Sequence, residues 1–272
     1  MGLPLVFAYE SRTRAILVGI GVTILALAMA EFATIPAFLM DPVLLEGDFA
    51  AASRSARSML LALNFIGMAL AGVLYLWMTD RGWEWLDLKV PDRSDFVWML
   101  AGLGLLIGFY VVFVVILTVL DVPAAGNQGV LGLIGDDVVM ILVMIAVVFL
   151  LNAPAEEFVF RNIVQKRLYP AFGDIPAVII AALIFTIIHI PVFMIGPQGV
   201  EEPLAVASSM IFILGGSVIF GYLYVKTRNL LVPIVLHAVI NAFQMILYLL
   251  SVLYGVEEEM QGAILLLPYL VA

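Results

Sequence analysis

Residues 137–161 read DVVMILVMIAVVFLLNAPAEEFVFR. An unbroken run of 14 apolar residues, 138–151, leads directly into Asn152, Pro154, Glu156, Glu157 and Arg161. An apolar block of this kind is a helix immersed in lipid, because a helix of about 20 residues crosses the roughly 30 Å hydrocarbon core of a bilayer. Two carboxylates and a guanidinium at its end are costly in such a setting, and an ionisable group at membrane depth is by default a functional one.

The rest of the chain has the same character. Hydrophobic residues make up 64% and charged residues 12% of its 272 positions, against roughly 45–50% apolar and about 25% charged in soluble domains. The mean hydropathy is +1.17. A water-soluble fold of this length could not cover so much apolar surface, so lipid is the expected solvent and no nucleic-acid partner is expected. The absence of cysteine removes disulfides, thiolate ligands and a cysteine nucleophile together. The net charge of −9 falls mostly between the apolar blocks, where acidic runs such as Glu257-Glu258-Glu259 read as solvated surface.

Seven apolar segments are bounded by charges or Pro/Gly turns: about 15–40, 58–78, 96–120, 137–160, 175–193, 203–225 and 231–254. An eighth, 262–272, is short of a full span. The expected fold is all-α, a polytopic helical bundle of seven to eight transmembrane helices in one domain, 1–272. Within it, 1–136 form the N-terminal helices, 137–254 the catalytic helical core and 255–272 a short apolar end. The first block is read as a retained helix rather than a cleaved signal.

Ten of the 12 Lys and Arg residues fall in alternate connections, including Arg12, Arg14, Arg81, Lys89, Arg161, Lys166, Lys226 and Arg228, while only Arg54 and Arg57 lie on the other side. Positive charge is retained in the cytoplasm. The N-terminus is therefore expected to be cytoplasmic, in the cell membrane.

The chain's two histidines, His189 and His237, both lie inside apolar segments, in Phe185-Thr-Ile-Ile-His189 and His237-Ala-Val-Ile-Asn241. Residues four apart share a helix face, so Phe185 stands beside His189 and Asn241 beside His237. Glu157 and Arg161 have the same spacing and read as a structural ion pair. Glu156, about 100° further round the helix, is left as the free carboxylate. Any one of these residues alone could be plain interhelical glue. Together they suit hydrolysis: a glutamate in a partly dry site is a stronger base toward water than in solution, an imidazole can share the proton, and a second imidazole with an amide can hold an oxyanion. Pro154, Pro191 and Pro233 lie within four residues of the three motifs, and freed backbone groups at membrane depth are tolerated where a polar cavity satisfies them.

Glu-Glu-x-x-x-Arg at 156–161, Phe-x-x-x-His at 185–189 and His-x-x-x-Asn at 237–241, in this order, resemble the CPBP family. That family comprises CAAX prenyl endopeptidases of the Ras-converting type and bacteriocin-processing or immunity (Abi) proteins. The resemblance covers about 90 residues of the C-terminal half and implies an intramembrane endopeptidase opening toward the cytoplasm. It implies that Glu156 and His189 activate water and that His237 and Asn241 form the oxyanion site. Glu157, Arg161 and Phe185 would support that geometry. CAAX-type members cut after a prenylated cysteine, so a prenylated or otherwise membrane-associated peptide is the implied substrate.

Glu156, His189 and His237 are also a zinc-type ligand set. The His-Glu-x-x-His spacing is absent, a metal-free glutamate hydrolase is preferred with no cofactor required, and zinc stays open. A proton-coupled transporter would need polar groups through the full bilayer depth, and the outer halves of the segments are nearly free of them. A non-catalytic immunity or scaffold protein could use the same cleft to bind a peptide. One tension concerns depth: Glu156 falls near the end of its segment while His189 lies about 20 Å into its own. Either the fourth helix continues past Arg161, or the fifth starts deeper than hydropathy suggests, and some of both is expected.

Overall fold

The computed structural model describes residues 11–255 apart from 48, 124–127, 197–198 and 201. Seven helices of 21 to 35 residues are long and apolar enough to cross a membrane: α1 (Arg12–Met40), α2 (Arg54–Met78), α3 (Arg93–Leu120), α4 (Val138–Phe172), α5 (Asp174–Met194), α6 (Pro203–Thr227) and α7 (Leu231–Tyr254). The chain is an all-α integral membrane protein. The suggested eighth segment, 262–272, lies outside the described residues. Among the described residues, the only strands form a two-residue hairpin between α5 and α6, β1 (Ile195–Gly196) and β2 (Gly199–Val200), paired antiparallel.

Local chemistry sets the helix ends. Ser53 accepts a hydrogen bond from the Ala56 amide at the start of α2, and Asp92 and Asp95 cap each other's backbone at the start of α3. The two basic residues that departed from the charge pattern are neutralised. Arg54 Nε lies 2.6 Å and Arg57 Nη2 3.1 Å from Asp137 Oδ2, and Arg57 is buried. That triad ties the start of α2 to the start of α4.

α4 is the axis of the bundle and packs against α1, α2, α5, α6 and α7. Small residues allow a close approach between α1 and α2, where a Cβ on Gly67 would stand 2.7 Å from the Ala33 Cβ. α3 lies outermost, with Leu100, Val112, Val119 and Leu120 exposed to the surroundings.

α4 has 35 residues, about 52 Å at 1.5 Å per residue and well beyond a hydrocarbon core. It therefore continues past Arg161, as one of the two remedies for the depth mismatch required. α5 begins at Asp174, whose carboxylate is exposed and 2.7 Å from Arg228 Nη2. The chain turns at Gly173 with φ +78°, a left-handed conformation that favours glycine. Glu156 lies 17 residues before that turn and His189 16 residues after it, so both sit about 24–26 Å from it along antiparallel helices. Nearly equal lengths of helix on either side of the turn bring them level.

The α6–α7 turn is recessed. Asn229 is fully buried, its Nδ2 donates to Asp95 Oδ2 at 2.8 Å, and the Leu230 amide donates to the Asp87 carbonyl at 2.7 Å. The segment between α2 and α3 thus covers this turn. Lys166 reinforces it through Asp87 Oδ1 at 2.8 Å and the Trp85 carbonyl at 2.7 Å, and Tyr224 donates to Asp87 Oδ2. A recessed start lets His237, only six residues into α7, reach the level of Glu156.

Candidate active site

The helix that carries the glutamates is not a regular α-helix. Pro154 has no N–H to bond the carbonyl of Leu150, and the backbone widens into a π turn at Val148–Asn152 and again at Phe158–Gln165. Such turns are frequent at functional sites because they rotate the side chains beyond them. Here Glu156 and Glu157, both buried, face the same imidazole from α7.

Glu157 Oε1 accepts from His237 Nδ1 at 2.9 Å, and its Oε2 lies 3.0 Å from Arg161 Nε in a fully buried ion pair. The expectation of a Glu157–Arg161 pair is met, but Glu157 is more than a partner for the arginine. His237 Nε2 lies 3.7 Å from Glu156 Oε2, and Phe220 stacks on the imidazole with centroids 5.1 Å apart. One ring is held between two carboxylates and an aromatic face.

Glu156 is not the free carboxylate that its position on an ideal helix suggested. Asn152 Nδ2 donates to Glu156 Oε1 at 2.8 Å, and Asn152 Oδ1 accepts from Asn241 Nδ2 at 3.2 Å. Asn152 links the glutamate of α4 to the asparagine of α7, a role the sequence reading did not assign. Its one signal was the i, i+4 spacing to Glu156 at the end of an apolar run.

On α5, His189 Nδ1 lies 2.7 Å from the Phe185 carbonyl. A carbonyl only accepts, so Nδ1 carries a proton and Nε2 keeps a lone pair. The rings of Phe185 and His189 lie 4.5 Å apart. Phe160 meets Phe185 edge-on at 4.9 Å, and the Arg161 guanidinium stands 5.3 Å over the Phe185 ring. Phe185 is thus a platform between Arg161 and His189.

Two hollows meet at this constellation. A cavity of about 60 Å³ is lined by Asn152, Glu156, His189, Asn241 and Gln244 together with Met144 and Val148, room for a few waters among groups able to bind them. Beside it, a groove of about 210 Å³ is lined by Leu106, Phe109, Phe212, Phe220 and Ile240, with His237, Asn241 and Gln244 at one wall. Asn241 and Gln244 belong to both. Glu156, His189, His237 and Asn241 are therefore brought together from three helices. Among the described residues, no three His, Cys, Asp or Glu side chains form a group that could hold a metal ion.

Comparison with known proteins agrees with the motifs. The family model described as type II CAAX prenyl endopeptidase Rce1-like matches residues 138–243, a stretch that contains all four of these side chains. The chain is also 26% identical over 179 residues to the membrane-embedded CAAX protease MroQ of Staphylococcus aureus (strain USA300), covering 61% of this chain and 63% of that protein. The match thus spans less than two thirds of that relative's length. No solved structure matches.

Proposed function

We propose that this chain, whose helical core matches the Rce1-like endopeptidase family, is an intramembrane endopeptidase. Its substrate is a membrane-associated peptide, of which a C-terminal peptide with a prenylated cysteine is the class implied by its relatives. The observation that carries this reading is that Glu156 and His189 line one water-sized cavity that shares the Asn241 wall with a dry groove beside His237. Water and an apolar substrate can meet there.

In the proposed reaction, a water in the smaller cavity is held between Glu156 and the Nε2 lone pair of His189, and Glu156 takes its proton. The oxygen bonds to the scissile carbonyl carbon, forming a tetrahedral intermediate whose oxyanion is held by Asn241 and, once its Nε2 has taken the proton from Glu156, by His237. Glu156 Oε2 is 3.7 Å from His237 Nε2, a short path by which the proton reaches the imidazole and then the departing amine as the C–N bond breaks. Glu157, Arg161 and Asn152 act as positioning residues. Apolar atoms of the substrate fill the groove, and the site opens toward the cytoplasm by the charge pattern of the connections. The proposed reaction uses no metal, Glu156 acting on the water directly.

The test uses purified, folded protein in detergent or nanodiscs with a fluorogenic peptide ending in a farnesylated cysteine and three further residues. Cleavage by the wild type that disappears in Glu156→Gln and His189→Ala supports the reading. Undiminished cleavage in both variants would remove it. Mapping of peptide termini in membranes carrying the wild type against Glu156→Gln identifies the natural substrate.

A further inference from the structure

Gln244 is unusual for a residue in a membrane span. It is 1% exposed, yet its Oε1 has no hydrogen-bond partner among the described residues. A buried polar atom left unpaired is destabilising, and native structures keep few of them. Met245 and Ala242 beside it pack as ordinary core.

Its location supplies the reason. Gln244 lines both the polar cavity and the dry groove, and Asn241 does the same. His237, Asn241 and Gln244 follow one another at i, i+4 and i+7 on one face of α7. Gln244 lies about 4.5 Å beyond Asn241 along the helix axis, and an extended peptide advances about 3.3–3.6 Å per residue. A carbonyl seated at Asn241 therefore places a neighbouring main-chain amide against the Gln244 side chain. A second orphan, the buried Ser217 Oγ on α6, lines the same groove without a partner among the described residues. Polar groups without partners on the walls of an apolar groove are what an extended peptide backbone requires, since its own N–H and C=O groups must be satisfied there.

We propose that Gln244 is a substrate-binding residue, its carboxamide hydrogen-bonding a main-chain amide of the peptide next to the scissile bond. This inference rests on the proteolytic reading above. Gln244 lies just beyond the stretch matched by the family model, which ends at residue 243.

The experiment compares the wild type, Gln244→Leu and Gln244→Met on the farnesylated peptide and on analogues in which single backbone amides are replaced by esters, with thermal stability measured alongside. Loss of one neutral hydrogen bond raises KM about three- to tenfold, with kcat little changed. Both variants gain thermal stability, which loss of a structural contact would not produce. The ester that removes the recognised N–H raises KM in the wild type but not in Gln244→Leu. An unchanged KM in both variants, or an ester effect of equal size in wild type and Gln244→Leu, overturns the inference and leaves proteolysis standing. Absence of cleavage by the folded wild type across a peptide library removes both.

Discussion

Glu157 Oε1 lies 2.9 Å from His237 Nδ1, both side chains being buried. Because a carboxylate only accepts, this contact fixes the proton of that imidazole on Nδ1 and turns Nε2 toward Glu156. The same carboxylate neutralises Arg161 from its other oxygen. Removing its charge therefore acts on two partners at once.

Glu157→Gln leaves the Arg161 charge buried without its partner. Breaking a buried pair from one side costs about 3–5 kcal/mol, so a marked fall in melting temperature is expected, and cleavage of the farnesylated peptide falls with it. Arg161→Met with Glu157→Gln removes both charges and restores part of the stability without the activity. Equal stability of Glu157→Gln and wild type would show that the ion pair contributes nothing.

Asn152→Ala removes the donor to Glu156 and the acceptor for Asn241. Groups that orient reacting side chains typically matter by about 10–100-fold, and a fall in kcat of that order is expected with little change in KM. Asn152→Asp offers Glu156 no N–H and should be at least as impaired. A kcat within about twofold of wild type in Asn152→Ala, too small to represent the loss of an orienting group, would assign the polar chain between α4 and α7 to packing alone.

Chelation separates the two chemistries that Glu156, His189 and His237 can support. If the glutamate acts on water directly, prolonged treatment with EDTA and with 1,10-phenanthroline leaves cleavage unchanged. Loss of activity restored by added zinc would place a metal between these residues instead.

The Asp137 carboxyl, which accepts from Arg54 at 2.6 Å, is held below the usual carboxylate range chiefly by that hydrogen bond, with burial opposing it. A lowered folded-state value means stability present above the unfolded value of about 3.9 and lost as pH falls below it. The melting temperature is expected to drop on acidification from about pH 5 to 3, and Asp137→Asn should lower it at neutral pH and flatten that dependence. Because Arg54 is 62% exposed, the effect is small and shrinks with salt. An identical acid profile in the variant would exclude this triad as its source.

Hydropathy located all seven helices to within a few residues, except the end of α4, where Arg161, Lys166 and Arg167 made about the last three turns look like a loop. Those charges are absorbed by the protein: Arg161 pairs with Glu157 and Lys166 with Asp87 and the Trp85 ring. No local average can anticipate a partner that arrives from another helix. The same limit applied to Asn152 and Gln244, which read as ordinary polar residues until α4 and α7 were set side by side.

The sequence by itself determined the solvent, the number of spans up to residue 255 and the identity of the groups able to do chemistry. Those follow from transfer free energies and helical spacing, which act within a segment. Only the tertiary structure decided that Glu156 and Glu157 would face one imidazole, that His189 would line one cavity with Glu156, and that this cavity would adjoin an apolar groove. These depend on π turns around Pro154, on the length of α4 before Gly173 and on a recessed α6–α7 turn, and each is set by packing between helices distant in the chain.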